Sequence, residues 1–113
     1  MENEKFANLK QLVNQWAEDK GIFEKSYPIA QLSKTQEELD ETMVALKNLD
    51  NSVIFSEDAM DEVVDGIGDM LVTIIILCKM LKLEPEHCLN EAYNVIKNRT
   101  GKMVGGLFIK DKP

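Results

Sequence analysis

The chain has 113 residues, with 13 basic against 20 acidic side chains and a net charge of −7, a length suited to about one domain. That balance excludes a general binder of nucleic-acid polymers, because it repels phosphate backbones, but it leaves open a free nucleotide held through metal ions. A single Trp, two Tyr and four Phe within a hydrophobic fraction of 44% suit helices packed on helices.

Lys5 to Lys20 place Phe6, Leu9, Leu12, Val13, Trp16 and Ala17 at helical spacing, one apolar stripe on a polar helix. Gly21 is its expected stop. Pro28 opens a second helix running to about Leu49, since proline is tolerated in a first turn. Ile29, Leu32, Leu39, Met43 and Leu46 are expected on its buried side. Asp50-Asn51-Ser52 reads as a turn, and Val53-Ile54-Phe55 as a short apolar cover for one end of a bundle. Ser56 or Asp58 is the expected cap of a third helix with an acidic first turn. This helix becomes almost wholly apolar through Met70-Leu71-Val72 and Ile74-Ile75-Ile76-Leu77. A helix apolar on all sides must be covered on all sides, so a second copy of the chain is expected, as a dimer or larger assembly.

Glu84-Pro85 starts a fourth helix with Leu89, Ala92, Tyr93 and Ile96 on one face, ending near Thr100-Gly101. The tail from Met103 to Ile109 is read as a short strand or a packing segment. With no repeat or linker in view, residues 1–113 form a single expected domain. Cys78 and Cys88 show no metal or redox spacing and are read as reduced thiols of a cytoplasmic protein. No signal-peptide pattern is visible. Met70 to Leu83 contains Lys79 and Lys82 and falls short of the ~20 residues a membrane span requires.

The chemistry is expected on two helices. Glu38 and Glu41, within Glu37-Glu38-Leu39-Asp40-Glu41, stand one turn apart on one face. Glu62, Asp65 and Asp69 form a similar row on the next helix. If the rows meet, the carboxylates cannot all stay ionised without cations between them, and hard oxygen ligands suit Mg²⁺ or Mn²⁺. Asp69 runs directly into the apolar stretch, and a buried carboxylate is costly unless paired. Gly66 and Gly68 each cost about 1 kcal/mol relative to Ala in a helix, which points to close approach by a ligand or another helix. Each acidic row alone also fits a solvated helix face. Lys97, Asn98, Arg99 and Lys102 cluster at the end of the fourth helix, where they either complement its negative end or hold phosphate. Trp16 is read as core or as a base-stacking ring. His87, the sole histidine, forms one ExxH spacing with Glu84. A di-iron bundle needs two such pairs, so His87 is read as a surface residue.

An EExxE helix, a spacer, and an acidic helix whose Asp leads into a long apolar run resemble the all-alpha NTP pyrophosphatases, the group that includes the MazG proteins and dimeric dUTPases. Tyr27-Pro28-Ile29-Ala30-Gln31-Leu32-Ser33-Lys34 looks like the lead-in to the first motif. Asp65-Gly66-Ile67-Gly68-Asp69 followed by Met-Leu-Val looks like the second motif of the MazG-like branch, and Lys97-Asn98-Arg99-Thr100-Gly101-Lys102-Met103 is similar to its basic ending. The resemblance implies an all-α, four-helix MazG-like bundle assembled as a dimer or tetramer. It implies Mg²⁺-dependent hydrolysis of a (d)NTP to (d)NMP and pyrophosphate, a metal-activated water attacking the α-phosphorus.

Glu38, Glu41 and Asp69 match its catalytic carboxylates. Glu38, Glu41, Glu62, Asp65 and Asp69 are its metal-ligand candidates, and Lys34, Lys97, Asn98, Arg99, Lys102 and Trp16 its substrate-binding ones. The sequence departs from the motif where Gly66 occupies the place of the Glu in ExxD. Either Asp65 with Asp69 supplies the carboxylates, with Glu62 second in rank, or Glu62 and Asp65 form the literal ExxD with Asp69 auxiliary. A non-catalytic nucleotide-binding or helical interaction module of the same fold is the alternative function.

Overall fold

The computed structural model describes residues 2–50 and 57–112, with the side chains of residues 2–4 set aside. Among the described residues the order is α1 (Glu2–Asp19), α2 (Ile22–Lys25), α3 (Pro28–Asp50), α4 (Glu57–Met80), α5 (Pro85–Ile96), β1 (Gly101–Val104) and β2 (Leu107–Lys110). The chain is therefore mostly helical with one two-stranded sheet. It divides into two compact units, Met1–Leu83 and Glu84–Pro113. Of the turn expected at Asp50-Asn51-Ser52, Asp50 is the last residue of α3; its other two residues, the apolar Val53-Ile54-Phe55 and the Ser56 cap lie outside the described residues.

In the first unit, α1 ends at Asp19, two residues before the left-handed Gly21 (φ 79°) expected as its stop, and the short α2 follows directly. The first turn of α3 closes on the carbonyl of Tyr27, which accepts from the Gln31 amide at 2.9 Å. Pro28 thus takes the position where its missing N–H leaves nothing unpaired. The end of α4 is built without glycine. Leu83 N–H donates to Cys78 C=O at 2.8 Å and Lys82 N–H to Lys79 C=O at 3.1 Å, a Schellman ending with Lys82 in the left-handed region at φ 60°.

The dominant packing is α3 on α4, with α1 also on α4. Gln31 meets Thr73 and Thr42 meets Gly66, so α3 and α4 run antiparallel. The face α3 turns to α4 is the polar row Gln31, Thr35, Glu38, Thr42 and Ala45, in which all but the half-buried Thr35 are buried. Gln31 Nε2 donates to the Thr73 carbonyl at 3.2 Å. The Thr35 hydroxyl donates to that of Thr73 at 2.8 Å, which donates to the Met70 carbonyl at 2.7 Å. These bonds pair the polar groups of Gln31, Thr35 and Thr73 within the seam.

This corrects the expected buried side of the second helix. Ile29 is 71% exposed and Leu39 44%, and Leu32, Met43 and Leu46 are exposed with them. Only part of the α1 stripe is covered: Ala17 is buried and Val13 half-buried, while Phe6, Leu9, Leu12 and Trp16 are exposed. In α4, Val63, Thr73, Ile75, Ile76 and Cys78 are buried, and Val64, Ile67, Leu71 and Ile74 are exposed. No helix among the described residues is long and apolar enough to cross a membrane.

In the second unit, α5 stops at Ile96, earlier than expected, and its Leu89, Tyr93 and Ile96 face is exposed. The tail forms an antiparallel hairpin pairing Gly101 with Lys110 and Val104 with Leu107. Gly105 and Gly106, both at positive φ (57° and 84°), make its two-residue turn, the backbone hand that matches strand twist.

Candidate active site

The α3–α4 seam opens on one side into the acidic rows. Helical spacing of roughly 100° per residue places Lys34 and Glu41 beside Glu38 on α3, and Asp65 beside Asp69 on α4. Glu38 is 8% exposed. Its Oε1 stands 3.6 Å from the Lys34 ammonium, which also reaches Glu37 at 3.4 Å. Its Oε2 is buried with no hydrogen-bond partner. Burial above all, then the charge of Glu41, holds the Glu38 carboxyl above its ordinary range, against the opposing pull of Lys34. Asp69 is shifted the same way, first by burial and then by Asp65 and Glu38, with Lys34 opposing. Lys34 is raised, chiefly by its hydrogen bond to Glu37.

Asp69 therefore feels the charge of Glu38 from the other helix. Glu41 and Asp65 join them from the exposed rim. Glu62 is also exposed. Among the described residues, no three acidic, histidine or cysteine side chains stand close enough to hold an ion between them. The arrangement is a loose acidic cluster around one buried carboxylate, not a closed cage.

Gly66 lies between Asp65 and Asp69, and its role is packing. A Cβ at this position would meet the Thr42 hydroxyl oxygen at 2.5 Å and the Thr42 Cβ at 3.2 Å. Nothing lies within 4 Å of the corresponding point at Gly68. The close approach inferred for both glycines is thus by a helix, and only at Gly66.

Trp16 is 49% exposed and shares an open groove of about 330 Å³ with Leu9, Leu12, Val13, Asp69 and Val72. An aromatic ring thus stands beside the most buried carboxylate of α4's row. Lys97, Asn98, Arg99 and Lys102 belong to the second unit: Lys97 caps α5, Asn98 and Arg99 follow it, and Lys102 lies in β1. His87 is exposed near the start of α5.

Sequence reasoning missed Gln31, Thr35, Thr42 and Thr73, the residues that align the two acidic rows. Their signal was present as the 31, 35, 38, 42, 45 spacing, a polar stripe at helical period. Comparison with protein families, characterised proteins and solved structures finds no match to this chain.

Proposed function

We propose that this chain is a Mg²⁺-dependent nucleoside triphosphate pyrophosphohydrolase of the MazG-like kind, with Mn²⁺ as a substitute cation. The observation that carries the reading is Glu38: a carboxylate buried on the α3–α4 seam with one oxygen unpartnered, whose charge reaches Asp69 across the seam. A buried, unpaired charged oxygen is unfavourable. A hard divalent cation is a partner whose chemistry suits it.

Glu38, Glu41 and Asp69 would hold it by drawing their side chains together around the ion, since they do not stand that close without it, with Asp65 in support and Glu62 in a lesser role. Packing favours that ranking, since the glycine at position 66 leaves no room for the motif's Glu and Asp65 bears directly on Asp69. When bound, the cation neutralises polyphosphate charge and acidifies water. The chain's own part is to position the reactants. Lys34 balances Glu38 and steers phosphate oxygens. Glu41, exposed one turn from Glu38, accepts the proton of the attacking water. Trp16 stacks on the base, with Leu9 and Leu12 keeping the groove dry. Attack at the α-phosphorus releases pyrophosphate and leaves (d)NMP.

The same reading includes self-association in the cytoplasm. Val64, Ile67, Leu71 and Ile74 on α4, and Ile29, Leu32, Leu39, Met43 and Leu46 on α3, are all exposed. Each stripe is rotated by roughly 100–120° from the seam, and because the helices are antiparallel both turn to the side away from the carboxylates. Pairing two such faces completes a four-helix bundle, as a dimer or within a tetramer. A patch of this extent is unusual on a monomer.

The test is a pyrophosphate-release screen across common NTPs and dNTPs, with and without Mg²⁺. Release from at least one substrate with Mg²⁺, lost in Glu38→Ala and Asp69→Ala with helicity intact, supports the reading. Full activity in both variants, or no release from any substrate, defeats it. Metal-dependent nucleotide binding without product would favour the non-catalytic alternative.

A further inference from the structure

The second unit holds an open groove of about 740 Å³ between α5 and β2, with Tyr93 and Phe108 among its walls and Lys97, Arg99 and Lys110 around them. Gly101 positions the Phe108 ring: a Cβ there would meet ring carbons at 2.7 and 2.8 Å and also the Ile109 carbonyl oxygen. The ring therefore lies directly over β1. From Lys97 onward the basic residues Lys97, Arg99, Lys102, Lys110 and Lys112 face Asp111 as the lone acid, in a chain whose net charge is −7. Among the described residues Lys97, Arg99 and Lys110 carry no ion pair. Oδ2 of Asp111 accepts from the Thr100 hydroxyl at 2.8 Å.

Cations without counter-charges around an aromatic floor suit a ligand that is both planar and multiply anionic. The groove's volume falls in the small-molecule range. Guanidinium and ammonium groups take phosphate oxygens, and a nucleobase stacks on Tyr or Phe without needing a specific hydrogen-bond pattern. A nucleic-acid polymer needs a longer basic track and meets an otherwise acidic chain. We propose that this groove binds a nucleoside di- or triphosphate without a divalent cation, its base against Tyr93 and Phe108 and its phosphates on Lys97, Arg99 and Lys110. Formed wholly by the second unit, it stands apart from the carboxylate reading.

The test is calorimetry on the full chain in EDTA with ATP, adenosine, tripolyphosphate and a short oligothymidylate, together with amide NMR. ATP should bind and perturb the signals of Tyr93, Phe108 and Lys110, and adenosine should not bind. Tripolyphosphate should bind about tenfold more weakly than ATP, the worth of one stacked base. Phe108→Leu should bring ATP down to that level and leave tripolyphosphate unchanged. Lys110→Ala, at an exposed position, should weaken both. Binding that persists in Glu38→Ala separates this groove from the acidic cluster. The proposal is overturned by no ATP binding in EDTA, by equal affinity for ATP and tripolyphosphate, or by tighter binding of the oligonucleotide than of ATP.

Discussion

Gly66 of α4 lies against Thr42 of α3 so closely that a methyl group would come within 2.5 Å of the threonine hydroxyl oxygen. That hydroxyl is held by its 2.8 Å bond to the Glu38 carbonyl, so it is not free to swing away. The approach of the two acidic helices depends on this pair. Gly66→Ala should destabilise the fold by about 1–3 kcal/mol through overpacking, despite alanine's better helix propensity. Gly68→Ala, with open space around it, should stabilise by about 1 kcal/mol. Urea midpoints of the two variants, opposite in sign, check the claim. Gly66→Ala combined with Thr42→Ala should recover much of the loss.

Lys82 adopts a backbone conformation that disfavours a side chain. Its place at the end of α4 is where glycine usually stands. Lys82→Gly should raise stability by about 1 kcal/mol, or several degrees in melting temperature for a domain of this size. An unchanged or lower melting temperature contradicts the strain assigned to this residue.

Glu38 and Asp69 have carboxyl pKa values above their ordinary 4.5 and 3.8, in both cases chiefly through burial. Such groups bind protons more tightly in the folded chain. Their contribution to stability is complete below the ordinary carboxylate range and is lost as pH rises through the raised values. Glu38→Gln, which mimics the protonated form, should therefore be more stable than the native chain at pH 7 without metal, by roughly 1–2 kcal/mol. The difference should shrink as the pH is lowered toward the ordinary carboxylate range. Thermal melts of both proteins from pH 7 to 4 measure it. Mg²⁺ at pH 7 should raise the melting temperature of the native chain and leave Glu38→Gln little changed.

Leu39 and Leu71 lie on the exposed apolar stripes of α3 and α4. Leu39→Glu with Leu71→Glu should shift the chain to a monomer in sedimentation equilibrium, because buried like charges disfavour the paired face. A native chain that already sediments as a monomer would remove self-association from the proposed function.

Much of the helical order was legible in the residues. Pro28 and Glu84-Pro85 marked helix starts, Gly21 marked a stop, and the acidic spacing within α3 and α4 placed Glu38 beside Glu41 and Asp65 beside Asp69. The tail reads as a short strand or a packing segment and does not reveal a hairpin, because its short strands lack the alternation that identifies one.

The single chain determined by itself that α3 has two faces, one polar and one apolar, at the same helical period. Which face meets α4 was decided only in three dimensions. Burial of the apolar stripe was the natural expectation, yet the polar row packs inward because Thr42, Ala45 and Gly66 are small enough for close approach, and Gln31, Thr35 and Thr73 satisfy one another's hydrogen bonds. That choice buries Glu38 and leaves the apolar stripe outside. Periodicity records which residues share a face; steric fit and polar pairing between helices decide what that face touches.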